Sequence, residues 1–200
     1  MRNSLIVLAC LAAGIASGVL SLAPTLILDL DPTVYALYLL LFLVGIETGS
    51  NSRVWRFART LHVRILLVPV SAMIGTLIGV SAFSLFAFGV SLRESLAVGF
   101  GFGYYSLASV LIAQISGQTL GVVALLSNIM REMATLLTAP LLARHFGKLA
   151  PIASGGATAM DTTLPIITKC VGAEYAVIAV FSGIVLTVLA PVLITAILQW

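Results

Sequence analysis

Charge is what this sequence has least of. Only 8% of its 200 residues are Asp, Glu, Lys or Arg, against 60% hydrophobic residues and a mean hydropathy of +1.18. A soluble domain of this length needs a polar skin, so that class is excluded and lipid must be the solvent for most of the chain. A spanning helix takes about 20 apolar residues, so the length allows roughly five to seven membrane segments. Residues 1–200 therefore read as one all-α, polytopic membrane domain with no room for a separate soluble one. Cysteine is nearly absent too. Cys10 and Cys170 lie far apart in apolar surroundings, which is neither a disulfide framework nor a metal-ligand spacing. Val7-Leu8-Ala9-Cys10 has the outline of a lipoprotein box, but the apolar run before it is shorter than a signal core and continues past it. The only histidines, His62 and His145, sit in basic loops. Nothing resembles a phosphate-binding or dinucleotide-binding motif, so no cofactor or metal is expected. A net charge of +3 is too small to suggest nucleic acid.

What is present is a row of apolar segments. The first span covers about Leu5 to Ala23 and ends at Pro24; a short connection carries Asp29 and Asp31. The second covers about Thr33 to Gly49, and a strongly basic loop follows with Arg53, Arg56, Arg59, His62 and Arg64. Short Lys/Arg-rich loops stay cytoplasmic, which places the N-terminus inside. The third span, about Ile65 to Phe88, climbs to an external loop with Arg93 and Glu94. Uninterrupted apolar helices are expected at about Leu120–Ala143 and Tyr175–Leu198.

Two segments break this pattern. Residues 95–118 are interrupted by Gly99, Gly101 and Gly103 and then by Tyr104-Tyr105-Ser106. Residues 149–170 are interrupted by Pro151, Ser154-Gly155-Gly156, Asp161-Thr162-Thr163 and Pro165. If both crossed fully, Arg144, His145 and Lys148 would face outside, against the positive-inside tendency. Five full spans plus two re-entrant or discontinuous segments, with the C-terminus outside, keep that cluster cytoplasmic. Seven crossings are the alternative. Sliding the chain by 55 positions aligns Gly117 with Gly172, Val122 with Val177, Ala124 with Ala179, Ser127 with Ser182 and Ile129 with Ile184. The two halves then read as an inverted repeat, a transporter design in which the site forms where two helix breaks meet.

Charges at membrane depth need a reason. Glu47 lies near the cytoplasmic end of its span and reads best as structural. Arg131 and Glu132 lie near the middle of a long apolar helix, beyond easy reach of water. Asn128, Glu132 and Thr135 fall on one helical stripe, with Arg131 about 100° around from Glu132. Asp161 stands in a run whose Gly155, Gly156, Thr158, Thr162, Thr163 and Pro165 cannot make a stable lipid-facing helix. Unwound backbone is tolerated at that depth only inside protein or beside water. Such a break offers carbonyls, hydroxyls and a carboxylate to an ammonium group. The plainer alternatives are an Arg131–Asp161 ion pair and a helix kink capped by Asp161. Gly101 and Gly103 supply either the matching break or a close packing surface. Tyr104 and Tyr105 form either an interfacial belt or a cation–π cover.

Leu41-Phe42-Leu43-Val44-Gly45-Ile46-Glu47, Gly101 to Leu107, Arg131-Glu132 and the run Gly155–Pro165, in this order, resemble the bacterial lysine exporter (LysO) family. The resemblance covers essentially the whole chain. It implies export of L-lysine and its toxic analogue thialysine across the inner membrane, with Glu132 and Asp161 as the essential intramembrane acids. It also implies a missing part, because members carry about three further N-terminal helices. A small membrane subunit, or self-association, is expected to supply them. On that footing Glu132 and Asp161 bind ammonium groups and exchange them for protons. Arg131 or a half-helix N-terminus takes the carboxylate, while Asn128, Tyr104, Tyr105, Ser106, Thr162 and Thr163 line the path. The rivals are a channel or assembly subunit and, less economically, an intramembrane hydrolase. An enzyme is not expected: there is no paired-aspartate motif and no histidine near a candidate serine.

Overall fold

The computed structural model describes residues 63–85 and 89–199, together with isolated helical positions between Ala13 and Ser50. Apart from those positions, the first two expected spans lie outside the described residues, as do the connection with Asp29 and Asp31, Glu47, Cys10 and the basic stretch Arg53–His62. Contacts divide the chain into two compact units, residues 1–39 and 40–200, and the continuous described stretches belong to the second.

The described residues form helices joined by short turns, without strands. In chain order the helices are α1 (Val63–Ser84), α2 (Leu92–Gly99), α3 (Tyr105–Ser116), α4 (Gln118–Phe146), α5 (Ala150–Gly155), a 3-10 turn (Gly156–Met160), α6 (Leu164–Val171), a second 3-10 turn (Ala173–Tyr175) and α7 (Ala176–Gln199). Among the described residues, three stretches are long and apolar enough to cross a membrane: Ile65–Ser84, Gln118–Phe146 and Ala173–Gln199. The protein is thus an all-α membrane protein. Both expected interruptions are real. Helix stops at Gly99 and resumes at Tyr105, and the second segment unwinds through a 3-10 turn to Asp161 before α6 begins.

The path of the interrupted segments follows from what their ends touch. The second begins beside Lys148 and finishes at Glu174, and these two side chains meet at 3.9 Å. Lys148 also lies over the Tyr175 ring. The segment therefore returns to the end of the bundle that it left. The first begins at Arg93, whose guanidinium donates to the carbonyls of Ile197 and Leu198 where α7 finishes. It ends beside Leu120, which shares one apolar cluster with Val90, Ile194 and Leu198. A second cluster gathers Val68 near the start of α1, Ala143 near the end of α4, Ile167 and Val171 of α6, and Ala179 of α7. Among the described residues, two hairpins thus enter from opposite ends, as re-entrant segments do.

Their tips meet. Ala157 N–H donates to Phe102 O at 2.9 Å, and in the 55-residue alignment Phe102 and Ala157 are equivalent positions. Contact between equivalent residues is what a two-fold relation produces at its axis. The turns into the long helices match as well: Gly117 has φ 95 and ψ 160, and Gly172 has φ 109 and ψ 150. Side chains disfavour this backbone, so glycine opens both α4 and the turn before α7.

Candidate functional site

Helix α4 is the spine on which both breaks are fixed. Asn128, buried to 2% exposure, accepts from Gly103 N–H at 2.7 Å through Oδ1. Its Nδ2 donates to Val98 O at 3.0 Å and to Ala124 O at 2.9 Å. The first break thus regains partners for its unwound backbone, which buried amides require. Gly101 has to be glycine here, since a Cβ would stand 2.7 Å from the Asn128 amide.

One turn further along, Arg131 serves the second break. Its Nε donates to Ser154 O at 3.1 Å, one terminal nitrogen to Ala153 O at 3.4 Å and the other to Thr76 Oγ1 on α1 at 3.0 Å. Its guanidinium lies 5.9 Å from the centre of the Phe102 ring. Thr135 completes the clamp by sharing a 2.8 Å hydrogen bond with Ser154 Oγ. Arg131 therefore holds the second break through carbonyls and not through an ion pair with Asp161. Tyr104 and Tyr105 are half-buried at the start of α3, and Ser106 is exposed.

In the second break, Thr158 donates to Gly155 O at 2.8 Å and lies 3.3 Å from the Thr163 hydroxyl, which is fully buried. Gly155 is packed against that hydroxyl, where a Cβ would come to 2.8 Å. At Gly156, φ is 62 and a Cβ would sit 2.4 Å from Phe102 O, so the crossing of the tips admits no side chain. Pro165 opens α6 in its first turn. Asp161 is exposed, and its Oδ1 accepts from Thr162 N–H at 2.5 Å and from the exposed Thr162 hydroxyl at 3.3 Å.

Glu132 occupies the midpoint of the 29-residue α4. At 1.5 Å per residue it stands about 21 Å from either end. It is half-buried, and no hydrogen bond or ion pair joins it to Asp161 or Arg131. Among the described residues no group of three or more His, Cys, Asp or Glu could hold a metal. A cavity of about 490 Å³ opens between α1, α4 and α5, walled by Gly75, Thr76, Gly79, Ser127, Asn128, Arg131 and Ser154 among others. It contains neither Glu132 nor Asp161. The structure thus brings Asn128, Arg131, Gly101, Gly103, Gly155 and Gly156 to one place, and leaves the two acids apart from that cavity.

Phe102, Thr76 and Ser154 were not legible as partners of Arg131. Phe102 carries one local signal, its place between two glycines, and it is the one described non-glycine residue with positive φ (50°). Thr76 gave none.

The sequence that builds this clamp matches the lysine exporter LysO family over residues 8–198. The chain belongs to that family. It is 33% identical over 160 residues to the lysine exporter LysO of Escherichia coli (strain K12), an overlap of 80% of this chain and 52% of that protein. It is 35% identical over 160 residues to a Haemophilus influenzae protein whose name also carries the words lysine exporter, covering 80% of each. The chain thus spans about half the length of the E. coli member of the LysO family. No solved structure matches it.

Proposed function

We propose that this LysO-family chain exports L-lysine, and toxic analogues such as thialysine, across a bacterial inner membrane by proton antiport. The observation that carries the reading is Glu132: a carboxylate at the midpoint of a membrane-length helix, joined to no cationic side chain among the described residues. Ionisable groups at that depth are costly and face a solute path or a fixed partner. Its partial exposure, and the open position of Asp161, leave both carboxylates reachable. Membership of the LysO family and the relatives' names support lysine as the solute.

Lysine carries two ammonium groups and one carboxylate. Glu132 and Asp161 receive ammonium groups, each in exchange for a proton, so that a carboxylate never crosses bare. Moving a net positive charge outward against an inside-negative potential costs about 2.3 kcal/mol per 100 mV, and inward proton flow supplies it. The reading assigns no covalent step, so the protein is a carrier and not an enzyme. A small membrane subunit, or a second copy of the chain, completes the path. In proteoliposomes, an imposed proton gradient should drive lysine accumulation and show counterflow, which a channel does not. Glu132→Gln and Asp161→Asn should each lower that flux at least tenfold with normal insertion. Full flux in both variants would remove the carboxylates from the mechanism.

A further inference from the structure

The cavity between α1, α4 and α5 holds a cation whose bonding is incomplete. A guanidinium has five N–H donors in a planar fork. Arg131 directs one to Ser154 O, one to Ala153 O and one to Thr76 Oγ1, which leaves one donor on each terminal nitrogen. Every partner named is neutral, and no carboxylate is among the described residues lining the cavity. An arginine at membrane depth is costly even when backbone carbonyls hold it, and an anion on its spare donors lowers that cost. The site has room for one. At about 490 Å³ it falls within the range of small-molecule sites. The wall opposite Arg131 on α1 is cut back to glycine, with nothing within 4 Å of a Cβ built on Gly75 or Gly79. Thr76, Ser127, Asn128 and Ser154 add a polar lining.

We infer that this cavity is a carboxylate subsite, in which the two spare Arg131 donors grip the α-carboxylate of an amino acid in the planar, paired fashion that guanidinium groups favour. The inference deepens the export reading and rests on it for the identity of the ligand. It separates the two ends of the solute: the carboxylate docks on the α1 side of α4, away from Glu132 and Asp161. It also assigns a specificity. Diamines and amides that keep the ammonium groups but lack the carboxylate are rejected.

The test uses the full chain in lipid, with L-lysine, L-lysinamide and 1,5-diaminopentane as probes and both transport and thermal stabilisation as readouts. Lysine should be moved, and should raise the melting temperature, at concentrations at least tenfold below those needed for the other two. Gly75→Leu narrows the cavity from α1 while keeping the Arg131 side chain itself, and should abolish lysine stabilisation and lower flux at least tenfold in a folded protein. Arg131→Lys keeps the charge but loses the paired geometry, and should raise KM more than it lowers kcat. Equal handling of lysine and lysinamide by the wild type, or unchanged lysine binding in Gly75→Leu, overturns the subsite and leaves export standing. A change in Gly75→Leu confined to subunit assembly overturns it too, because the groove then houses a helix. Lysine stabilisation lost in Gly75→Leu, in a protein that moves no lysine, supports the subsite and defeats export.

Discussion

At the scale of single residues, the crossing of the two tips tolerates least. Gly156 combines a positive φ with a carbonyl 2.4 Å from where a Cβ would stand. The strained backbone alone costs about 1–3 kcal/mol, and the clash forces the tips apart. Gly156→Ala should therefore lower the melting temperature sharply and weaken the Ala157–Phe102 hydrogen bond, read as faster amide exchange at Ala157. Asn128 is the next most exacting position. Asn128→Leu strips Gly103 N–H of its acceptor, and an unsatisfied buried donor costs about 1–3 kcal/mol. Thermal unfolding in detergent checks it. Ser182 gives the contrast. Its buried hydroxyl has no hydrogen-bond partner, so Ser182→Ala should leave stability unchanged or raise it. Asn128 and Arg131 were legible as singular, because polar groups deep in an apolar helix need partners. Which partners they found was not, since Val98, Gly103, Ala153 and Ser154 reach them only through the tertiary fold.

At the scale of elements, Arg93 and Glu94 were expected in an external loop, and the structure places both in the first turn of a helix. Ser91 and Glu94 form a reciprocal cap at the start of α2: Ser91 Oγ accepts from Glu94 N–H, and Glu94 accepts from Ser91 N–H at 2.8 Å. Hydrogen bonds from the Ser91 hydroxyl and then its backbone hold the Glu94 carboxyl below its ordinary value of 4.5. A depressed carboxyl stabilises above its ordinary range, and that contribution is lost as pH falls through the lowered value. Amide exchange in the first turn of α2 should quicken in that acid window and should lose this pH dependence in Ser91→Ala. The glycine turns before α4 and α7 were visible as an alignment of Gly117 with Gly172, and the structure gives them nearly the same dihedral angles. The alignment carries further than its identities. Asn128 of α4 packs on the first break, while its counterpart Gly183 of α7 lies against the second, where a Cβ would come within 2.7 Å of Met160. Equivalent positions thus do the same job with different residues, which identity counting cannot see.

At the scale of the whole molecule, the hairpins fix a topology that labelling can test. The re-entrant arrangement puts Arg144, His145, Lys148 and Glu174 at one end of the bundle, and Arg93 with the C-terminal end of α7 at the other. With the basic end cytoplasmic, a cysteine introduced at His145 should react with an impermeant maleimide only from the inside, and one at Arg93 only from the outside. Reaction of both from the same side would return the chain to full crossings. The Lys148–Glu174 pair marks this geometry but contributes little to it. Both side chains are more than half exposed, and exposed pairs are worth about 0–1 kcal/mol, so Glu174→Gln should shift the melting temperature only slightly.

The sequence alone determined the solvent, the class and the family. An apolar chain with few charges has to live in lipid, and two runs of glycine, threonine and proline have to interrupt its helices. A charge at mid-membrane has to mean something. Only the tertiary structure decided that the interrupted segments turn back from opposite ends and touch at Phe102 and Ala157, and that Arg131 spans both tips beside an open cavity. The reason is physical: lipid solvation acts on each segment separately, so composition records it, whereas a hydrogen bond between two unwound tips exists only once distant parts of the chain have packed.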